Sequence, residues 1–313
     1  RRLYALDARS GHELWNLPTD SVVDWLSYSE SLDVLVASTK KRIHAYSGRD
    51  ARVLWHKYAE GIGFRGHPGR VWQKVILWHD WMIDQRGPGL AYDLLTGKQI
   101  SRLHPVTLKP VPWEFIRNGH HCNHGLASEN FLTFRSGNAT FVDLTTLGTG
   151  SFLGYRSGCT NSVLPAAGVM SSPMFAHLCV CGYEFYTSLA FAHKADHDLW
   201  TYRPNKTDFV KQADLGRVQR LGLNLNAPGD RQAANGTLWF GISRIQRHGY
   251  ALAGLSADWS GTTPFELKGV QVPNGTPRWV FGTGVEGLKK LVVPLTAEKD
   301  APDSVYTVRL YLV

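Results

Sequence analysis

The sequence predicts an all-β fold. Residues 1–202 read as a partial β-propeller of about four blades, a fragment of a larger propeller; 203–220 read as a linker and 221–313 as a β-sandwich that is truncated at its end. Three observations predict this. A motif recurs roughly every 40 to 50 residues through the first half, each period holds about four short strand-like runs, and the composition shifts near residue 200. A chain of 313 residues has the length of about two domains and ample material for a core.

The first unit is Leu3-Tyr4-Ala5-Leu6-Asp7, a turn through Gly11, and a return strand Glu13-Leu14-Trp15. Leu3 to Leu6 alternates as a pleated strand does, and Asp7 to Gly11 has turn chemistry. Forty residues later Ile43-His44-Ala45-Tyr46, a turn, and Val53-Leu54-Trp55 align with it without a gap. A third copy is Ala91-Tyr92-Asp93-Leu94-Leu95-Thr96-Gly97-Lys98, where Ser101 stands at the tryptophan position. A degenerate fourth is Thr140-Phe141-Val142-Asp143-Leu144-Thr145-Thr146. Between the copies, Asp33 to Ala37 and Lys74 to Trp78 read as further strands.

Hydrophobic-Tyr-Ala-Leu-Asp-x-x-x-Gly-x-x-x-Trp resembles the tryptophan-docking repeat of the pyrroloquinoline-quinone-like propellers, the superfamily of quinoprotein alcohol dehydrogenases and of propeller lipoproteins of outer-membrane assembly. The resemblance implies that Gly11 and Gly97 make tight turns, that Asp93 belongs to the blade framework, and that Trp15 and Trp55 pack between blades. It also implies more blades than residues 1–200 hold. The chain begins at Arg1 inside a repeat and stops at Val313 inside a strand-like run, so it reads as a fragment cut at both ends.

All four cysteines, Cys122, Cys159, Cys179 and Cys181, fall in one region, with His120, His121, His124 and His177 beside them. An even number in one region points to two disulfides, to one metal site, or to buried thiols, and the spacing is not the Cys-x2-Cys of common structural zinc. The order of these segments around Arg156-Ser157-Gly158-Cys159-Thr160, Leu164-Pro165-Ala166-Ala167-Gly168 and Cys179-Val180-Cys181-Gly182-Tyr183 resembles a bacterial, planctomycete-type subfamily of quinone-like propeller repeat proteins. That resemblance implies a recurrent cysteine arrangement and no particular chemistry. The adjacent Cys-Cys pair that the dehydrogenases carry over their cofactor is absent from the sequence.

Other signals point to folding roles. Gly61-Ile62-Gly63-Phe64-Arg65-Gly66 has the spacing of a dinucleotide fingerprint, but His67-Pro68-Gly69 follows where a helix must open, so it reads as a loop between blades. His79-Asp80 between Trp78 and Trp81 reads as core or rim. Lysine and arginine number 34 against 26 acidic residues, a net charge of +8. The longest basic runs are only Lys40-Lys41-Arg42 and Lys289-Lys290, with no stripe of the kind nucleic acid requires. The longest charge-free stretch, Ser157 to Tyr183, contains Pro165, Pro173, Asn161 and His177 and is no membrane span.

Past the polar Arg203-Pro204-Asn205-Lys206-Thr207-Asp208, only His248 of the 13 histidines remains. Gly269 to Val272, Leu291 to Leu295 and Val305 to Leu312 read as strands; in the last, Tyr306, Val308, Leu310 and Leu312 share a face. Tyr-Thr-Val-Arg-Leu-Tyr resembles a strand of malectin-like and galactose-binding-like modules. The resemblance implies sugar binding on aromatic faces, for which Trp239, Trp259, Trp279 and Tyr311 are the candidates. The reading that follows is a non-catalytic binding or scaffolding protein placed outside the cytoplasm, in the periplasm or at the cell surface, with a glycan or a protein as partner. The alternative is an oxidoreductase whose propeller and cysteine–histidine cluster hold pyrroloquinoline quinone or a metal; no cofactor is assigned.

Overall fold

A computed structural model of the chain describes residues 1–39, 42–58, 74–85, 88–116, 124–152, 155, 163–173, 187–192, 216–242, 254–269, 271–272, 277–296 and 301–312. Among these residues the regular structure is twenty-six strands and one short 3-10 turn, Arg278–Val280. Among the described residues no helix is long and apolar enough to cross a membrane.

The first half is a series of up-and-down meanders. β1 (Arg2–Leu6) and β2 (Glu13–Pro18) form a two-stranded hairpin. β3 (Val23–Ser29), β4 (Val34–Thr39), β5 (Arg42–Ser47) and β6 (Val53–Tyr58) form a four-stranded antiparallel sheet in sequence order. The third meander pairs β7 (Val75–Trp78), β8 (Trp81–Asp84), β9 (Pro88–Asp93) and β12 (Glu114–Ile116), with the hairpin β10 (Ser101–Leu103) and β11 (Pro110–Pro112) set between its last two strands. A fourth holds β13 (Leu126–Ala127), β14 (Phe131–Ser136), β15 (Asn138–Asp143) and β16 (Thr149–Phe152). β17 (Leu164–Ala166), β18 (Val169–Ser172) and β19 (Leu189–Ala192) make a fifth, of three strands. The first strands β3, β7 and β13 of successive meanders lie against one another, which is blade-like stacking about their inner edges. The all-β class and the four-stranded period read from the sequence are those of the structure.

Alternation decides the packing. Val34, Val36, Ile43 and Ala45 point from β4 and β5 into a core completed by Trp55 of β6 and by Val75, Met82 and Leu94 of the next meander. A second core gathers Ala139, Tyr155 and Val163 with Phe152, Met170, Leu189 and Phe191. There Phe152 and Phe191 stack with centroids 4.3 Å apart.

One turn recurs five times among the described residues. In Asp7–Gly11, Ser47–Ala51, Asp93–Gly97, His104–Leu108 and Asp143–Leu147 the first N–H donates to the carbonyl five residues on, at 2.8 or 2.9 Å, and the fifth N–H donates back to the first carbonyl, at 2.7 to 3.0 Å. The fifth residue takes a positive φ each time, from 54° to 71°. The first side chain caps the bend: Asp7 accepts from the amides of Arg9 and Ser10, Asp93 from Thr96, Asp143 from Thr145 and Thr146, and Nδ1 of His104 from Val106 and Thr107. Four of these turns coincide with the four copies found in the sequence. The fifth, at His104, carries neither aspartate nor glycine and escaped the sequence reading.

The chain divides into two compact units. One comprises Arg1–Arg102, Pro112–Phe141 and Phe152–Ala192; the other Leu103–Val111, Val142–Ser151 and His193–Val313. The second unit is built of small sheets: β20 (Gly222–Leu225), β22 (Leu238–Ile242) and β21 (Arg231–Gln232) in that order; β23 (Ser256–Ala257) with β26 (Leu291–Val292); and β24 (Thr263–Glu266) with β25 (Thr283–Glu286). Its core is Val106, Val218, Leu238, Phe240, Ile242 and Leu255. Val106 is wholly buried, and its carbonyl accepts from the amides of Gln219 and Arg220 at 2.9 and 3.2 Å. The strand expected over Val305 to Leu312 joins no sheet among the described residues; Val305, Val308, Leu310 and Leu312 are 77–102% exposed. Period-two alternation supplies a strand's side-chain pattern, but a strand also needs a neighbour for its amides. Leu291 to Leu295 is likewise shortened to β26, and the expected strand over Gly269 to Val272 is absent at its described residues.

Candidate functional site

The repeat residues build fold. Trp15 Nε1 donates to the carbonyl of Gly48 at 2.8 Å, and Trp55 Nε1 to that of Leu94 at 2.8 Å. Both acceptors are the second residue of the next meander's turn. Trp55 is 9% exposed and its indole lies against Gly97, where a Cβ would come within 2.8 Å of the ring. Gly11 has open space around it. Hydrogen bonds from Ser10 hold the Asp7 carboxyl below its ordinary range, and the Thr96 hydroxyl does the same first and foremost for Asp93.

The third meander places a tryptophan where the sequence alignment has Ser101. Ala5 pairs with Trp15 and Ala45 with Trp55. The corresponding Ala91 lies between Tyr92, which bridges to Gln99, and Leu90, which pairs with Glu114. Its amide donates to the carbonyl of Trp113 at 3.4 Å. Trp113 is therefore the counterpart of Trp15 and Trp55, displaced in sequence because Ser101 to Pro112 leave the strand as a hairpin. The Trp113 amide closes that hairpin on the carbonyl of Ile100 at 2.9 Å. Trp113 is 3% exposed and meets Trp81 and Phe115 edge to face, at 5.7 and 6.4 Å. Nothing in the local sequence marks Trp113 as a repeat position; removing the hairpin would have shown it.

Three groups of polar and aromatic side chains remain. The first sits on the inner strands: Lys74, just before β7, is hydrogen-bonded to Nε2 of His124, just before β13, and its ammonium lies 4.7 Å from the ring centre of Trp25 on β3. Burial pushes the Lys74 ammonium pKa down. His124 is the one described member of the predicted cysteine–histidine cluster; Cys122, Cys159, Cys179, Cys181, His120, His121 and His177 lie outside the described residues, as does the Gly61 to Gly66 loop. Among the described residues no three His, Cys, Asp or Glu side chains converge as a metal site would need.

The second group lines a cavity of about 170 Å³ at one end of the second meander, walled by Asp20, Ala37, Thr39, Arg42, His44 and Tyr46 among others. Arg42 pairs with Asp20 at 3.6 Å. Burial lowers the His44 pKa and raises that of Tyr46. His79, by contrast, closes the β7–β8 turn with φ 52° and sits 3.3 Å from the Glu129 carboxylate on the surface.

The third group lies in the second unit. Trp239 meets Trp279 and Tyr311 edge to face, each at 5.6 Å, and Phe281 meets Tyr311 at 5.6 Å. The Arg231 guanidinium stands 4.8 Å from the Trp279 ring centre. All three candidate rings are half-buried. Trp239 lies flat on Gly222, its partner across the parallel β20–β22 pair. Trp259, the fourth candidate, packs against the aliphatic core instead.

No protein-family model and no curated protein matches the chain. Among solved structures it is similar to BamB from Moraxella catarrhalis, at 17% identity and TM-score 0.38, over 54% of this chain and 48% of that one. It is similar to dihydro-heme d1 dehydrogenase NirN, at 11% identity and TM-score 0.30, over 55% and 47%. A europium-containing methanol dehydrogenase aligns at 16% identity and TM-score 0.26, over 38% and 22%. The chain thus covers about half the length of the first of these or less.

Proposed function

We propose that the chain is a non-catalytic binding or scaffolding protein outside the cytoplasm, whose second unit takes a glycan. The observation that carries this is the grouping of Trp239, Trp279 and Tyr311 with Arg231. Sugar C–H faces stack on aromatic rings, and a guanidinium beside them supplies hydrogen-bond donors for hydroxyls or a uronic carboxylate. Half-buried rings held edge to face are fixed before the ligand arrives, which lowers the ordering cost of binding. In the first unit the conspicuous residues of the repeat have structural partners already, Trp15 and Trp55 on backbone carbonyls and Asp7 and Asp93 on turn amides. That economy supports a framework role for the blades.

The test is a glycan array followed by calorimetry on the full chain. Saturable binding that falls at least about tenfold in Trp279→Ala and in Arg231→Ala, with unchanged circular dichroism, supports the reading. Failure to bind any glycan overturns the sugar assignment, and retention of a protein partner in its place would leave the scaffold role. A co-purifying quinone chromophore, or a metal held by the cysteines, together with turnover of an alcohol would overturn the whole reading in favour of the oxidoreductase. Non-reducing mass spectrometry with metal analysis of natively purified protein separates these outcomes.

A further inference from the structure

We propose that the outer hairpin of the second meander carries a two-histidine site for a borderline divalent cation, Cu2+ ahead of Ni2+ and Zn2+. His44 on β5 and His56 on β6 are directly opposed in the antiparallel register. Opposed residues share a face of the sheet, with their Cβ atoms about 5 Å apart. The two imidazole centroids are 5.9 Å apart and their planes 33° from parallel. A metal at 2.0–2.1 Å from one nitrogen of each ring would hold the centroids roughly 5 Å apart, so small side-chain rotations close the chelate. Among the described residues no group hydrogen-bonds either imidazole, so the ring nitrogens have no competing partner.

The neighbours hold the rings in place. Tyr46 stacks on His44 at 5.6 Å and 7°, and Tyr58 meets His56 edge to face at 5.9 Å. The Arg42 guanidinium lies 4.5 Å over Tyr58, and the Asp20 carboxylate at 3.6 Å partly offsets its charge. His44 is half-buried on the wall of the cavity and His56 is exposed, so one ligand is anchored and the site opens to solvent. Imidazole nitrogen suits Cu2+, Ni2+ and Zn2+, and the ordinary affinity order puts Cu2+ first. With two protein ligands the other positions are water, which makes the site exchangeable. It stands apart from the glycan reading, since it lies on different residues of a different unit.

The experiment titrates Cu2+ into the full chain at pH 7.5, followed by calorimetry and by electron paramagnetic resonance. His44→Gln, His56→Gln and, as a control, His12→Gln are measured alongside; His12 is an exposed histidine on the Asp7 turn. The expected result is a site whose affinity falls at least about tenfold in either ligand variant and is unchanged in the control. Its spectrum shows coupling to two imidazole nitrogens, and Cu2+ raises the thermal midpoint of wild type but not of His56→Gln. Equal affinity and stoichiometry in wild type and His56→Gln would overturn the proposal. So would a wild-type spectrum without two-nitrogen coupling, which needs no variant to fold.

Discussion

The second and third meanders share a turn and a buried tryptophan and differ in the path of the outer strand. In the second, strands β5 and β6 follow one another directly, and Trp55 is four residues past the turn. In the third, the outer strand starts at Gln99, breaks off after Ile100 and resumes at Trp113. Both keep the same turn, the same alanine opposite the tryptophan and the same burial of the indole. The conserved quantity is therefore backbone register. Chain continuity is expendable, because the hairpin leaves and re-enters the strand across a single hydrogen bond. The detour has a tip, Val106, buried in a core with Val218, Leu238, Phe240, Ile242 and Leu255.

The largest effect should come at that tip. Val106→Asp places a carboxylate in an apolar core, at a cost on the order of 5 kcal/mol. Val53→Asp, on the uninterrupted hairpin and 49% exposed, should stay within about 0.5 kcal/mol. Urea denaturation of both variants measures the contrast, and equal midpoints would mean that the detour is dispensable.

Next come the indoles. Trp55→Ala and Trp113→Ala should each cost about 3–5 kcal/mol, whereas Ser101→Ala should be near neutral. A large loss at Ser101 with none at Trp113 would break the assigned equivalence of the two meanders.

Glycine substitutions sharpen the comparison further. Gly97→Ala forces a Cβ to within 2.8 Å of the Trp55 ring and keeps a φ of 67°, so about 2–4 kcal/mol is expected. Gly11→Ala meets nothing within 4 Å and should show only the backbone strain, about 1–2 kcal/mol. A thermal-shift assay that finds the two equal would place no indole against Gly97.

The smallest effect is the pH dependence of the turns. Asp93 titrates below its ordinary value in the folded chain, so the unfolded chain binds its proton at higher pH. Its contribution is then fully present above the ordinary carboxylate pKa and is lost as pH falls through the depressed folded value. Asp93→Asn should flatten the acid limb of a midpoint-against-pH curve below about pH 4. An unchanged slope would remove the carboxylate from the turn's energetics.

Much of this was legible in the letters. Tyr-Ala-Leu-Asp through Gly11 to Trp15 marks strand, turn and strand because alternation, an Asx bend and a positive-φ glycine each have a distinct sequence signature. The His104 turn was not legible, since an imidazole does the capping of a carboxylate and Leu108 takes the positive φ that glycine normally takes. Trp113 was hidden by an insertion, and fixed spacing has no means of seeing past one. In the second unit, alternation over Val305 to Leu312 promised a strand, yet pairing is a tertiary property that one segment does not contain. The grouping of Trp239, Trp279 and Tyr311 across residues 239–311 is likewise a long-range fact, while the opposition of His44 and His56 follows once the Ala45–Trp55 register is known.

The 2.9 Å contact between the Trp113 amide and the Ile100 carbonyl makes the outer strand of the third meander a socket. To keep the strand's register, whatever is threaded through it must begin and end as a pair of neighbouring strands. Its present occupant, Ser101 to Pro112, carries Val106 into an apolar core and offers that residue's carbonyl to the amides of Gln219 and Arg220, so a replacement would have to bring an equivalent anchor to the same place. The socket holds its occupant from both ends, by register at Ile100 and Trp113 and by burial at Val106.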